Sequence, residues 1–336
     1  MNSRILRLIA LPAKHRLTLL TGLVLCALCA SIAQTAAAEN YPVRPIRIVV
    51  PTGAGGITDL LARIVAQKLG ENLNQKVIVD NRPGASGIVG SDVVAKSPAD
   101  GYTLLMVYPS HPVNSSLHAN MPYDTVKSFA PITMVSGVTL VLAVNAALPA
   151  RNLRELIAMA KEKPGVLNFS SVGAGSLGHL GAELFRSLAG VNITHVPYKG
   201  APQAMMAVLS GEVSMFFDTP ITILPHLKSG KVRALGVSTK TRQAVFPDVP
   251  AIAEVVPGYE VLGWNGILAP AGTAPEIIER LNAEIVKVLR TPAVIAQLAA
   301  NSVEPIGNSP QQFNAIVVAD LEKWAKVIKE AGIKAD

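Results

Sequence analysis

The sequence predicts a two-domain α/β protein built on parallel sheets whose two faces are covered by helices. Three observations carry this reading. The chain has 336 residues, half of them hydrophobic, which is more than a single core usually organises. Short apolar runs alternate with amphipathic stretches almost from the start. The alternation then restarts near residue 140 with an echo of its first part.

In order, Ile46–Val50 is a short apolar strand ending at Pro51, and Ile57, Leu60, Leu61, Ile64, Val65 and Leu69 recur at helical spacing up to Gly70. Lys76–Val79 is a second strand, residues 87–96 a short helix and Tyr102–Val107 a third strand. The second round begins with the strand Leu140–Val144 and the helix Asn152–Lys161, then the strand Leu167–Ser171 and a helix over Leu177–Leu188. Ile193–Val196, a helix over 201–210 and Val213–Phe217 follow. After Gly258 the chain passes through Val261 to Trp264 into helices over 275–290, 292–300 and 310–331. Continuous apolar strands separated by helices are the pattern of a parallel sheet buried on both faces.

The echo is specific. GAGGITDLLAR over 53–63 and GAGSLGHLGAE over 173–183 agree at five of eleven positions, and each stands between an apolar strand and an amphipathic helix. Gly84-Ala85 in one half answers Gly200-Ala201 in the other, again after a strand and before a helix. Each half therefore reads strand, glycine turn, helix, strand, glycine turn, helix, strand.

Glycine between a strand and a helix lets the backbone turn sharply and lets a ligand approach the main chain. The helix start behind it presents unpaired N–H groups and the positive end of the dipole. A carboxylate placed there accepts backbone hydrogen bonds without a charged side chain, and ligands of open parallel sheets sit outside the carboxyl ends of strands. Taken singly, each loop reads equally well as a plain turn and helix start; the set of four in matching order favours capture of an anion. Around them, Asp59 reads as a dipole-compensating acid or a site residue, and His179 holds the matching place in the second half. Tyr198 either offers its phenol to a cleft or packs, and Asp218 either orients a bound group or shapes its turn.

The N-terminus carries Arg4, Arg7, Lys14 and Arg16, an apolar run from Leu17 to Ala33, and Ala36-Ala37-Ala38 before Glu39. Basic head, apolar middle and small-residue exit make a secretory leader over 1–38. Cys26 and Cys29 both lie inside it, each after a leucine, which argues against lipidation; a chain cut after Ala38 has no cysteine and no disulfide or thiol chemistry. The whole chain carries 30 Lys+Arg against 23 Asp+Glu; removing four basic residues leaves 26 against 23, a net charge of +3 in place of +7. With scattered cations and 4% aromatics, nucleic-acid binding is excluded.

Catalytic and cofactor motifs fail in turn. Gly173-Ala174-Gly175-Ser176-Leu177-Gly178 satisfies the dinucleotide glycine pattern, but the next strand ends His195-Val196-Pro197-Tyr198 without the acid that would hold a ribose. The phosphate-loop lysine motif and the GxSxG nucleophile elbow are absent. The histidines show no HExxH or paired spacing, so no metal and no cofactor is expected.

The same loops, with their surroundings, resemble the extracytoplasmic solute receptors of tripartite tricarboxylate transporters, the Bug receptors. The resemblance runs through Tyr41-Pro42 and Pro45-Ile46, Ile48 to Pro51, Gly55-Gly56 with Asp59, and Asn81-Arg82-Pro83-Gly84-Ala85. It continues in Pro98, Asp100-Gly101-Tyr102-Thr103-Leu104, Gly173, Gly175-Ser176 with His179, and Val196-Pro197-Tyr198-Lys199-Gly200. Phe246-Pro247-Asp248-Val249-Pro250 and Gly263-Trp264 complete it. It implies a Venus-flytrap receptor of the type II periplasmic-binding-protein class, two Rossmann-like lobes joined by a hinge. Residues 39–139 and 258–336 would form lobe 1, and 140–257 lobe 2.

Carried over position by position, the resemblance places ligand contacts at Thr52, Gly53, Ala54, Gly55, Gly56, Asp59, Ser86, Ser110, Gly173, Ala174, Gly175, Ser176, His179, Tyr198, Gly200, Ala201, Asp218 and Thr219. Position 52 is often aromatic in the family, so Thr52 implies a wider or more polar pocket. The expected partners are a small carboxylate and the membrane permease subunits of the transporter, with the receptor a periplasmic monomer that performs no chemistry. The alternative is a sensor of the same fold feeding a membrane histidine kinase.

Overall fold

The computed structural model describes residues 41–243, 245–300 and 303–334; the leader expected over 1–38 lies outside the described residues. The first lobe opens with β1 (Ile46–Val50), α1 (Ile57–Leu73), β2 (Val77–Asn81), a 3-10 turn at Ala85–Gly87, α2 (Ile88–Ala95) and β3 (Thr103–Val107). Then come α3 (Ser110–Leu117) and the long β4 (Phe129–Thr139). The second lobe follows with β5 (Val141–Asn145), α4 (Leu153–Glu162), β6 (Asn168–Ser171), α5 (Leu177–Ala189), β7 (Thr194–Pro197), α6 (Ala201–Ser210), β8 (Met215–Asp218), α7 (Pro220–Lys228) and β9 (Val232–Val237). The chain returns through β10 (Leu262–Pro270), α8 (Pro275–Leu289), α9 (Pro292–Ala299), β11 (Glu304–Pro305) and α10 (Pro310–Ala331).

The two sheets repeat one plan. Lobe 1 has the order β11-β4-β10-β3-β1-β2 and lobe 2 the order β9-β5-β8-β6-β7. In each, a central strand (β1 or β6) lies parallel to the next strand of its lobe on one side and to the third on the other. The echo in the sequence is thus an echo of topology. The expected parallel strands are present, and each sheet is mixed: β10 runs antiparallel to β3 and β4, and β5 antiparallel to β8 and β9. The reason is the crossing. β5 and β10 both begin where the chain has just stepped between lobes, so each must run away from the interface that β1, β3, β6 and β8 run toward.

That geometry decides where the glycine turns lie. β4 ends and β5 begins at Thr139–Val141, and β10 begins at Leu262, so both crossings sit at the ends where β1, β3, β6 and β8 terminate. Every strand-to-helix turn singled out in the sequence therefore opens on the interlobe face.

Each sheet is covered on both sides. In lobe 1, Ile46, Ile48, Val50, Leu61, Val65 and Leu281 form one core and Val49, Leu105, Val107, Trp264 and Phe313 the other. In lobe 2, Leu142, Phe169, Phe185 and Phe217 pack on one face and Val141, Ala204, Val208 and Phe216 on the other. Packing near the expected boundary at 257/258 crosses it. Tyr259 and Val261 belong to the lobe 2 core, and α10 is shared: Phe313 and Val317 pack in lobe 1, Trp324, Val327 and Ile328 in lobe 2. Between these halves buried Asp320 accepts the Trp264 indole N–H at 2.7 Å and pairs with Lys323 at 2.7 Å, so its carboxylate is not left alone in the interior.

Candidate functional site: two glycine turns at the lobe interface

In lobe 1 the chain leaves β1 at Pro51 and enters α1 at Ile57, with Gly56 extended at the N-cap and no side chain capping the helix. Gly53 to Gly56 are exposed, and a Cβ built on Gly53, Gly55 or Gly56 would meet nothing within 4 Å. The turn is fixed from behind. Gly55, at φ +90°, donates its N–H to Asp59 Oδ2 at 2.9 Å. The same carboxylate accepts Arg63 Nε at 2.9 Å and Asn81 Nδ2 at 2.9 Å, and Asn81 also donates to Thr52 O. Arg63, the largest influence, with the Gly55 and Asn81 bonds holds the Asp59 pKa down to about 2 although burial opposes it. Among the described residues the N–H groups of Gly53, Ala54, Gly56, Ile57 and Thr58 have no hydrogen-bond acceptor inside the protein.

The second turn of lobe 1 is unusual in its backbone. Gly84 and Gly87 have φ of +139° and +93°, and Ala85 and Ser86 are left-handed at +44° and +52°. Non-glycine residues persist there only where their surroundings hold them. Three donors do so by converging on Ser86 O: Tyr108 OH at 3.2 Å, Ser110 Oγ at 3.1 Å and Asn114 Nδ2 at 3.0 Å. The Ser86 side chain is left exposed at the interface.

In lobe 2 the turn after β6 is wired through its own side chains. Ser176 caps α5, accepting the His179 N–H and donating its hydroxyl to Gly173 O at 2.8 Å. Gly175 donates its N–H to His179 Nδ1 at 3.1 Å, the counterpart of the Gly55–Asp59 bond. An imidazole that accepts at Nδ1 carries its proton on Nε2 and is neutral. Burial first, then the neighbouring His195 and Arg186, lowers the His179 pKa to about 3. Ser171 Oγ accepts the Gly173 N–H at 3.1 Å and lies 2.6 Å from His195 Nε2, while the His179 and His195 rings stack with centroids 3.7 Å apart. Ser171 O takes the Tyr198 N–H at 2.9 Å, tying in the turn after β7. The lobes touch here: a Cβ on Gly175 would fall 2.8 Å from Leu117 Cδ1 at the end of α3.

The expected contact residues therefore divide. Thr52 to Gly56 and Gly173 to Ser176 present main chain at the interface, Ser86 lies at its edge, and Gly200-Ala201 and Thr219 start α6 and α7 there. Asp59, His179 and Ser110 have polar atoms engaged by the turns they brace: Asp59 with Gly55, His179 with Gly175 and Ser110 with Ser86. Tyr198 turns away: its O–H donates to Glu212, beyond the far end of α6, at 3.2 Å. Asp218 spends Oδ1 on the Thr219 N–H at 2.8 Å, and burial pushes its pKa up. Ser171, His195, Asn81, Arg63 and Tyr108 were not singled out as site residues by sequence, because nothing in a linear pattern marks a residue that acts on a turn from a neighbouring strand.

Comparison with known proteins matches the tripartite tricarboxylate transporter family receptor model over residues 61–333. The chain belongs to that receptor family. Protein BugT of Bordetella pertussis is 39% identical over 308 residues, covering 91% of this chain and 94% of that protein. Among solved structures, Rpa4515 of R. palustris with adipate is 38% identical with a TM-score of 0.72, covering 88% of this chain and 99% of that one. MatC from Rhodopseudomonas palustris with bound malate is 29% identical with a TM-score of 0.69, covering 86% and 100%.

For this receptor the periplasmic-binding-protein fold expected from sequence is the fold found. Among the described residues no helix is long and apolar enough to cross a membrane, and no group of side chains could hold a metal ion. A serine–histidine pair does occur, Ser171 with His195, but Ser171 is fully buried and its hydroxyl is bonded to the Gly173 backbone. A nucleophile needs access to substrate; this hydroxyl has none.

Proposed function

We propose that this receptor captures a small carboxylate between its lobes and delivers it, unchanged, to a tripartite tricarboxylate-type membrane transporter. The observation that carries the reading is the placement of two helix N-termini, those of α1 and α5, behind glycine turns that open on one interlobe face. Unpaired N–H groups and the helix dipole favour negative charge there, and the turns themselves contribute no lysine or arginine. The family relationship agrees, since relatives have been solved with adipate and with malate. Closure of the lobes about the two crossings would complete the ligand's hydrogen bonds. The leader expected at residues 1–38 would send the chain to the periplasm, where N-terminal sequencing of exported protein should begin at Glu39.

Titration calorimetry of the mature chain with a panel of mono-, di- and tricarboxylates tests the reading. Saturable heat with at least one of them, and a fall in radius of gyration on binding, is expected. Absence of heat with every member would remove carboxylate capture as the function.

A further inference from the structure

We propose that Ser171 and His195, together with His179, are positioning residues that join the two lobe 2 turns into one preformed anion-binding unit. This deepens the function proposed above and rests on it. Ser171 is buried and His195 half-buried, and the hydrogen bonds that join the two turns to each other pass through them. Ser171, the last residue of β6, holds three things at once. Its carbonyl takes the Tyr198 N–H at 2.9 Å, its Oγ takes the Gly173 N–H at 3.1 Å, and the same Oγ meets His195 Nε2 at 2.6 Å. A hydroxyl offers one donor and two acceptor sites. Ser171 Oγ accepts the Gly173 N–H, and its O–H goes either to Gly173 O at 3.1 Å or to His195 Nε2 at 2.6 Å; with either tautomer the hydroxyl links Gly173 to His195. His195 stands on β7, three residues before Tyr198, so the turn after β6 cannot shift without disturbing the strand that leads into the turn after β7.

The imidazoles complete the unit. The His195 ring lies against His179 at 3.7 Å and against Phe169 at 5.0 Å, and His179 in turn holds Gly175. Gly173 has φ +125° and Gly175 φ +72°, conformations that glycine visits but does not hold unaided. With their N–H groups tied to Ser171 and His179, both are held in the folded receptor before any ligand arrives. Holding these two glycines fixes the N–H groups of Ala174, Leu177 and Gly178 beside them, which are open among the described residues. Fixed donors lose no freedom when a carboxylate lands on them, which is how preorganisation raises affinity.

Paired amide variants separate this from a packing defect, because asparagine places a polar atom where Nδ1 stood and glutamine where Nε2 stood. Calorimetry with adipate and malate as probes is expected to show His195→Gln within a few-fold of wild type and His195→Asn weaker by about tenfold, the worth of one hydrogen bond. At position 179 the order should invert, with His179→Asn close to wild type and His179→Gln about tenfold weaker. Ser171→Ala should match His195→Asn, and the double variant should add little. Loss of packing alone would rank asparagine and glutamine alike at both positions, and that result overturns the proposal while leaving carboxylate capture intact. If the wild-type receptor binds neither probe nor any other carboxylate, the functional reading falls instead. Amide exchange of Gly173 and Gly175 in the ligand-free receptor then decides the brace. Protection in wild type, lost in His195→Asn and Ser171→Ala and regained in His195→Gln, supports it, and free-chain exchange rates in wild type overturn it.

Discussion

The turn from Gly53 to Gly56 and the turn from Gly173 to Ser176 follow the central strand of matching sheets and start matching helices, but they are held by different chemistry. Behind the first stands a charged set: Asp59, buried, with Arg63 half exposed and Asn81 alongside. Behind the second stand Ser171, His195 and a neutral His179, which bond the turn without a charge of their own; the nearest carboxylate, Glu183, lies 3.8 Å from His179 Nε2 and pairs with Arg186. The difference reaches the donors themselves. In lobe 1 the N–H groups of Gly53, Ala54, Gly56, Ile57 and Thr58 remain open, whereas in lobe 2 those of Gly173, Gly175 and Ser176 are spent within the turn, leaving Ala174, Leu177 and Gly178 among the described residues. One topology thus yields a donor-rich turn and a self-braced one. The first offers an anion many open donors, and the second offers fewer that its own side chains hold in place.

Removing a single donor from each turn should break the symmetry most visibly. Proline is tolerated at the first helical position, where its missing N–H has no helical partner, and Gly56 and Ser176 are both extended, as a residue before proline must be. Ile57→Pro should leave folding intact and weaken carboxylate binding by about 1.5–3 kcal/mol, the range for a hydrogen bond to a charged group. Leu177→Pro should cost visibly less. Equal losses in calorimetry would show that the two turns share the anion evenly.

Breaking the braces comes next. Asp59→Ala leaves the Gly55 and Asn81 N–H groups without their acceptor, at about 1–3 kcal/mol of stability for a buried group. Chemical denaturation should register that loss, and affinity should fall with it as the turn loosens.

Acid should then separate the two turns by window. The folded pKa of His179, about 3, lies below its ordinary 6.5, so below pH 6.5 the unfolded chain binds more protons and stability falls as pH drops toward 3. Asp59 is lowered from 3.8 to about 2, so its contribution is complete above 3.8 and is lost only between there and 2. His111, lowered to about 4 by burial, adds to the first window. Unfolding midpoints measured against pH should therefore decline less steeply between 6.5 and 4 in His179→Asn than in wild type. A parallel decline would mean that the His179 proton is not linked to folding. The smallest effect belongs to Arg63→Gln. Its exposed guanidinium pairs with Asp59 under solvent screening, so denaturation should shift only slightly while the Asp59 pKa rises.

Much of the architecture was legible because burial leaves periodic marks. Ile46–Val50, the α1 stripe through Leu61 and Val65, and the helices over 275–289 and 310–331 show apolar spacing that packing then used. β4 was missed. Phe129–Thr139 carries Pro131 and buries Thr133 and Ser136, so it shows neither alternation nor a clean apolar run. Its proline is admissible because β11 pairs with β4 only at Ser136 and Gly137, leaving the strand a sheet edge near residue 131. α3 and α7 were missed for a related reason, since Pro112 and Pro225 lie within weak helix formers. α1 runs past Gly70 to Leu73 and ends at left-handed Asn74; the glycine allows a close approach, since Gln75 O lies 2.9 Å from where a Cβ would stand.

By itself the sequence determined which segments turn on glycine, which helices stand behind them and that the pattern occurs twice, because backbone freedom and apolar period are local properties of the chain. Only the tertiary structure decided that β5 and β10 run against their neighbours, that α10 is shared between lobes, and that Asp59 braces one turn while His179, with Ser171 and His195, braces the other. Those outcomes depend on where the chain crosses between lobes and on hydrogen bonds between strands far apart in sequence. A side chain's direction is settled by the neighbour it meets, and no residue carries that neighbour in its own surroundings along the chain.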